Sequence, residues 1–97
     1  MDSAPPTKSS FVFEKTEGVD DSMKEYAKMC ILLALEEFPS SEDDWEKCEL
    51  VDKKFEEKYG AHWCSSFIKN GDVCFWYNEH YMKIKYKDYT IKIAKQA

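Results

Sequence analysis

Lys53-Lys54-Phe55-Glu56-Glu57-Lys58-Tyr59-Gly60-Ala61-His62-Trp63-Cys64 is the stretch where helical spacing gives way to strand spacing. Phe55 and Tyr59, four apart, share one face of a helix, and Gly60 is placed to end that helix in a left-handed conformation. Residues 62–69 have no helical repeat, and residues 71–77 are rich in aromatic and β-forming types. A helix is delivered onto a sheet here.

Working back from the junction, Trp45, Cys48, Val51 and Phe55 recur at three, three and four, which predicts a helix presenting a narrow apolar stripe and an acidic outer face. Ser40 or Ser41 would cap it, and Glu42, Asp43 and Asp44 would suit its first turn. Before it, Met23, Tyr26, Ala27, Cys30, Ile31, Ala34 and Phe38 predict a first helix, capped by Asp20 or Asp21 and ended by Pro39. Leu32, Leu33 and Leu35 widen its apolar face, so packing on two sides is expected. Phe11-Val12-Phe13 reads as a brief strand at a sheet edge, fading over residues 14–18. Residues 1–10, with two prolines, three serines and no apolar period, read as a disordered tail ahead of one domain spanning 11–97.

Forward of the junction the pattern predicts strands over 63–68, 73–77, 81–86 and 89–94, with a turn at Lys69-Asn70-Gly71, a break near Asn78-Glu79 and a two-residue hairpin at Lys87-Asp88. The expected fold is α+β, in the order β-α-α-β-β-β-β, with two helices on one face of a small antiparallel sheet. Alternation in the last two strands sends Met82, Ile84, Tyr86, Tyr89, Ile91 and Ile93 to the helices and Lys83, Lys85, Thr90 and Lys92 to the other face.

The net charge of −5 hides a split. Residues 1–68 carry 16 acids against 8 lysines, residues 69–97 carry 3 against 6, and arginine is absent throughout. An acidic chain without arginine is poorly suited to phosphates, so nucleic acid is not an expected partner. No apolar run approaches the roughly 20 residues that cross a bilayer, so no membrane is expected either. Cys30, Cys48, Cys64 and Cys74 lie within periodic elements and form no CxxC, which reads as reduced, packed thiols in a cytosolic protein.

The wording of the junction, with Lys53, Phe55, Lys58, Tyr59 and Trp63 followed by Asn70 and Gly71, resembles the dynein light chain family of the eight-kilodalton type, from about Phe13 to Lys95. Phe55 stands one position nearer the lysine pair than is usual, and the segment between Phe38 and Phe55 is about three residues longer. The resemblance implies a non-catalytic hub, without cofactors or metal, that binds extended peptides by β-strand addition. Implied partners are the dynein intermediate chain of a microtubule motor complex and other disordered segments, in the cytoplasm at the cytoskeleton. The alternative is a motor-independent domain like the one that follows EF-hands in flatworm tegumental proteins.

Residue by residue, the resemblance places the peptide-binding strand at Gly71, Asp72, Val73, Cys74, Phe75 and Trp76, and loosely aligns the family's peptide-recognising acid and lysine with Asp44 and Trp45. Phe75 and Trp76 also fit plain core packing. The resemblance further implies a homodimer through the outer sheet face, with Trp63, Cys64, Lys83, Lys85 and Lys92 at the interface. Burying an unpaired ammonium costs several kcal/mol, so acids must meet these lysines or the dimer is weakened. Other chemistry fits less well. His62, Cys64, Cys74 and His80 lack the short loop spacing of zinc sites, and no group orients Cys64 as a nucleophile. The acids at 42–46 lack the alternating ligands and glycine of a calcium loop, and the lysine face lacks the exposed aromatics on which RNA bases stack.

Overall fold

The structure is a computed structural model describing residues 11–74 and 76–96. The tail at residues 1–10 and Phe75 of the expected binding strand lie outside the described residues. The elements are β1 Val12–Glu17, α1 Asp21–Glu37, a 3-10 turn Ser41–Asp43, α2 Asp44–Tyr59, β2 Trp63–Lys69, β3 Tyr81–Tyr86 and β4 Tyr89–Lys95.

Local chemistry sets the helix ends. Asp20 caps α1 by accepting from the Met23 amide at 2.9 Å, and the Phe38 amide closes the last turn on Ala34 just before Pro39. Ser40 caps the 3-10 turn through the Glu42 amide at 3.1 Å, so α2 begins only at Asp44. Gly60 ends α2 with φ 84 and ψ 177, a positive φ as expected but with extended ψ rather than the left-handed helical value. That region is essentially glycine's alone. Although a Cβ there would meet nothing within 4 Å, Gly60→Ala is expected to cost about 1 kcal/mol of backbone strain, measurable as a shift of the urea midpoint.

The sheet is antiparallel with strand order β1-β3-β4-β2. Both helices lie on one face, where Ala27, Cys30, Ile31, Ala34, Val51 and Phe55 pack against Trp63, Phe67, Met82, Ile84, Ile91 and Ile93. The predicted inward set of β3 and β4 is buried throughout, and Tyr86 opposite Tyr89 confirms the two-residue turn, with Lys87 at φ 55. α1 is packed less broadly than its leucines suggest, since Met29 and Leu32 are about half exposed on its outer side.

The correction concerns the chain between β2 and β3. The sequence reads residues 73–77 as a strand after the turn at 69–71, but the described residues there form no strand, and β2 pairs with β4, Trp63 opposite Lys95 through Lys69 opposite Tyr89. Because β2 and β3 both run antiparallel to β4, they run parallel to each other, and a parallel pair needs a crossover rather than a hairpin. The helices occupy one face, so the described residues of 70–80 cross on the other. This strap joins no ladder among the described residues.

Candidate functional site

The strap is tied to the outer face through the lysines of β3 and β4. Lys83 and Lys92 stand directly opposite each other, a like-charge pair that needs a counterion. Asp72 supplies it, with Oδ1 2.7 Å from Lys92 and Oδ2 3.1 Å from Lys83, while Lys92 also donates to the Val73 carbonyl. Glu14 adds a contact to Lys83 at 3.7 Å, and Lys85 donates to Thr90. Further along, Tyr77 stacks on Tyr81 at 4.4 Å and donates to Glu17, and Gln96 donates to the Trp76 carbonyl. The acids that meet the lysine face therefore come from the same chain. Hydrogen bonding to Lys92 and then Lys83 holds the Asp72 carboxyl well below the usual carboxylate range.

A carboxyl depressed in this way stabilises the closed strap above its unfolded value and loses that contribution as pH falls through the folded one. The strap therefore stays closed across neutral pH and loosens only in strong acid. Asp72→Asn is expected to loosen it at pH 7, read as faster chymotryptic cleavage after Trp76 or Tyr77. Cleavage no faster than in the parent protein would contradict the pairing.

Asp72, Val73, Cys74 and Trp76, assigned to the binding strand by the resemblance, lie in the strap, all exposed, with Gly71 at its start beside Ile68. Trp63 is not on the outer face either. It is buried on the helix side, its ring 4.9 Å from Phe55, while Cys64 stays part-exposed on β2.

The sheet has two edge strands, β1 and β2, and the far side of β2 carries no strand among the described residues. The Gln96 amide bonds to the His62 carbonyl and the Asn70 amide to the Asp88 carbonyl, so the even-numbered residues of β2 face β4. By alternation, Trp63, Ser65, Phe67 and Lys69 point their main-chain groups to the free side. Trp63 bears this out, its amide donating to Glu56 at 3.2 Å. Beside this edge runs a groove of about 280 Å³ between α2 and β2, lined by Asp44, Trp45, Cys48, Glu49, Asp52 and residues 64–68.

Of the sequence-assigned residues, only Asp44, Trp45 and Cys64 reach this groove. Asp44 is already engaged, accepting from Lys47 at 2.8 Å and from the Tyr89 hydroxyl at 2.9 Å. Trp45, 72% exposed, stands at the mouth. Sequence reasoning missed Glu49 and Asp52, although Glu49, Asp52 and Glu56 recur at three and four, the spacing of one helix face. Burial, reinforced by Glu56 and Glu49 and only partly offset by Ser65, pushes the Asp52 carboxyl up to about 7. Burial likewise pushes up the thiols of Cys48 and Cys64. Among the described residues no three acids, histidines or cysteines are grouped to hold a metal ion.

Two helices over one face of an antiparallel sheet, with a crossing segment between β2 and β3, make the fold that of a dynein light chain-like domain. The chain is similar to the dynein light chain-like domain of the calcium-binding protein FhCaBP2 of Fasciola hepatica. With the native structure the TM-score is 0.78 at 10% identity, covering 90% of this chain and 91% of that one. With a mercury derivative it is 0.80 at 12% identity, covering 97% and 99%. The likeness is one of fold. No protein-family model and no curated protein matches the chain.

Proposed function

We propose that this chain is a non-catalytic interaction module that takes up an extended segment of another protein as an added strand on β2. The observation that supports this reading is the unpaired edge of β2 beside the α2 groove. Main-chain bonds to Ser65 and Phe67 would supply affinity, and alternate guest side chains would enter the groove. The acceptor is thereby moved from residues 71–76 to the neighbouring strand. As in the family the chain resembles, the dynein intermediate chain of a microtubule motor and other disordered segments are the proposed guests, in the cytoplasm at the cytoskeleton. Self-association through the outer face must first lift the strap from Lys83 and Lys92, so the homodimer is weak.

The second reading is a motor-independent module. It is favoured by the solved structures of similar fold, which belong to a calcium-binding protein rather than a motor. Calorimetric titration with an intermediate-chain peptide separates the two: micromolar binding supports the motor reading, and no heat at high micromolar concentration leaves the motor-independent one. Ser65→Pro tests strand addition itself. It removes an outward amide while sparing the bonds to β4, as proline on an edge strand does. Guest affinity is expected to fall roughly tenfold or more, with the fold kept; unchanged affinity would contradict an edge on β2.

A further inference from the structure

The closed strap leaves polar groups on the outer face of the sheet unmet. Lys85 donates to the neutral Thr90 hydroxyl but pairs with no acid among the described residues. Ser66 lies opposite Lys92 and so faces the same side. It is only 9% exposed, and its hydroxyl finds no hydrogen-bond partner. Buried polar atoms left in this state are uncommon because each forfeits its bonds to water. The strap itself is held at this end by polar contacts rather than by apolar burial: Val73 and Trp76 are 38% and 70% exposed, while the face it crosses presents Lys83, Lys85 and Lys92.

Asp72 has the contacts of a bound ligand. Its carboxylate bridges Lys83 and Lys92, and the carbonyl of the next residue, Val73, accepts from Lys92. A carboxylate followed by a main-chain carbonyl is what an acidic peptide offers, and a bare anion does not. Lys83 and Lys85 stand two apart on one strand, about 7 Å, the distance between alternate side chains of any extended guest. A guest with two acids at that spacing would meet Lys83 and Lys92 with one and Lys85 with the other, whereas Asp72 meets only the first pair. We propose that the outer face is a binding site for an acidic segment of a partner protein, and that the strap occupies it as a tethered competitor. Tethering gives Asp72 a high effective concentration, so a guest gains access only by the further contacts at Lys85 and Ser66. The site makes no use of the β2 edge, so it is independent of strand addition there.

Acetylated and amidated heptapeptides of glycine and serine provide the test, carrying two aspartates two apart, a single aspartate, or two asparagines. Binding is followed by the amide shifts of Ser66, Lys83, Lys85 and Lys92 in NMR titrations up to millimolar peptide. Asp72 is exposed and outside every helix and strand, so Asp72→Asn keeps the fold while vacating the site. That variant is expected to bind the two-aspartate peptide at least about tenfold tighter than the parent protein does. Glu57→Gln, the same change of charge on the exposed side of α2, is expected to bring no gain. Adding Lys85→Gln to Asp72→Asn should lower the two-aspartate peptide to the affinity of the one-aspartate peptide, and the asparagine peptide should shift nothing. Equal affinity of the parent and Asp72→Asn, or a gain matched by Glu57→Gln, overturns the proposal. Inorganic phosphate bound by Asp72→Asn as tightly as the two-aspartate peptide overturns the assignment to an acidic peptide.

Discussion

Lys47→Ala is expected to cost about 3 kcal/mol of folding stability, a large share of what a domain of this size holds. Lys47 has no exposed surface, and its ammonium donates to the Ser40 carbonyl at 2.6 Å and to Asp44 at 2.8 Å, 5.8 Å from the Tyr89 ring centre. It ties the 3-10 turn, the start of α2 and the head of β4 into one knot. Truncation leaves a carbonyl and a carboxylate short of a donor and opens a void beneath them. Lys47→Met restores most of the volume but not the donors, so it should recover only a minor part of the loss. Urea unfolding measures both, and a loss under about 1 kcal/mol for alanine would show that the knot contributes little.

Asp52→Asn is expected to act in the opposite direction. The Asp52 carboxyl titrates near 7 in the folded chain, against about 4 for an unfolded aspartate. The folded state therefore binds its proton more tightly, and stability falls as pH rises from about 4 to 7 and stays lowered above that. About three pH units set a ceiling near 4 kcal/mol, and because the group is partly open to solvent the effect is discounted to about 2 kcal/mol. The asparagine variant should gain that much at pH 8 and almost nothing at pH 4. A gain of the same size at both pH values, or a loss at pH 8, would contradict the burial of this carboxylate.

The residues that were legible in the sequence are those whose environment repeats along the chain. Alternation from Met82 to Ile93 gave the inner and outer faces of β3 and β4 because period two leaves no other assignment once one face is dry. Spacing of three and four gave both helices, and Asp20 and Ser40 gave their starts. What local pattern cannot reveal is which strand pairs with which. Residues 71–77 have the composition of a strand, yet the parallel relation of β2 and β3 turns them into a crossing strap.

The groove was hidden for a related reason. Trp45 continues the apolar spacing of α2, so the sequence places the indole inside. Trp45 and Lys47 lie in α2 on opposite flanks of the Cys48, Val51 and Phe55 stripe; the flank of Trp45 is exposed, and that of Lys47 is buried under the Ser40 carbonyl. Glu49, Asp52 and Glu56 were visible at helical spacing, but an acidic helix face is ordinarily a solvated one. Only the adjacent free edge of β2 gives these acids a second wall.

Amide hydrogen exchange along β2 in dilute protein tests the open edge most directly. Cys64, Ser66 and Ile68, bonded to β4, should exchange slowly, and Ser65, facing away from it, should exchange faster by orders of magnitude. Ser65 exchanging as slowly as its two neighbours would mean that the edge is already occupied, and that no guest strand can be received there.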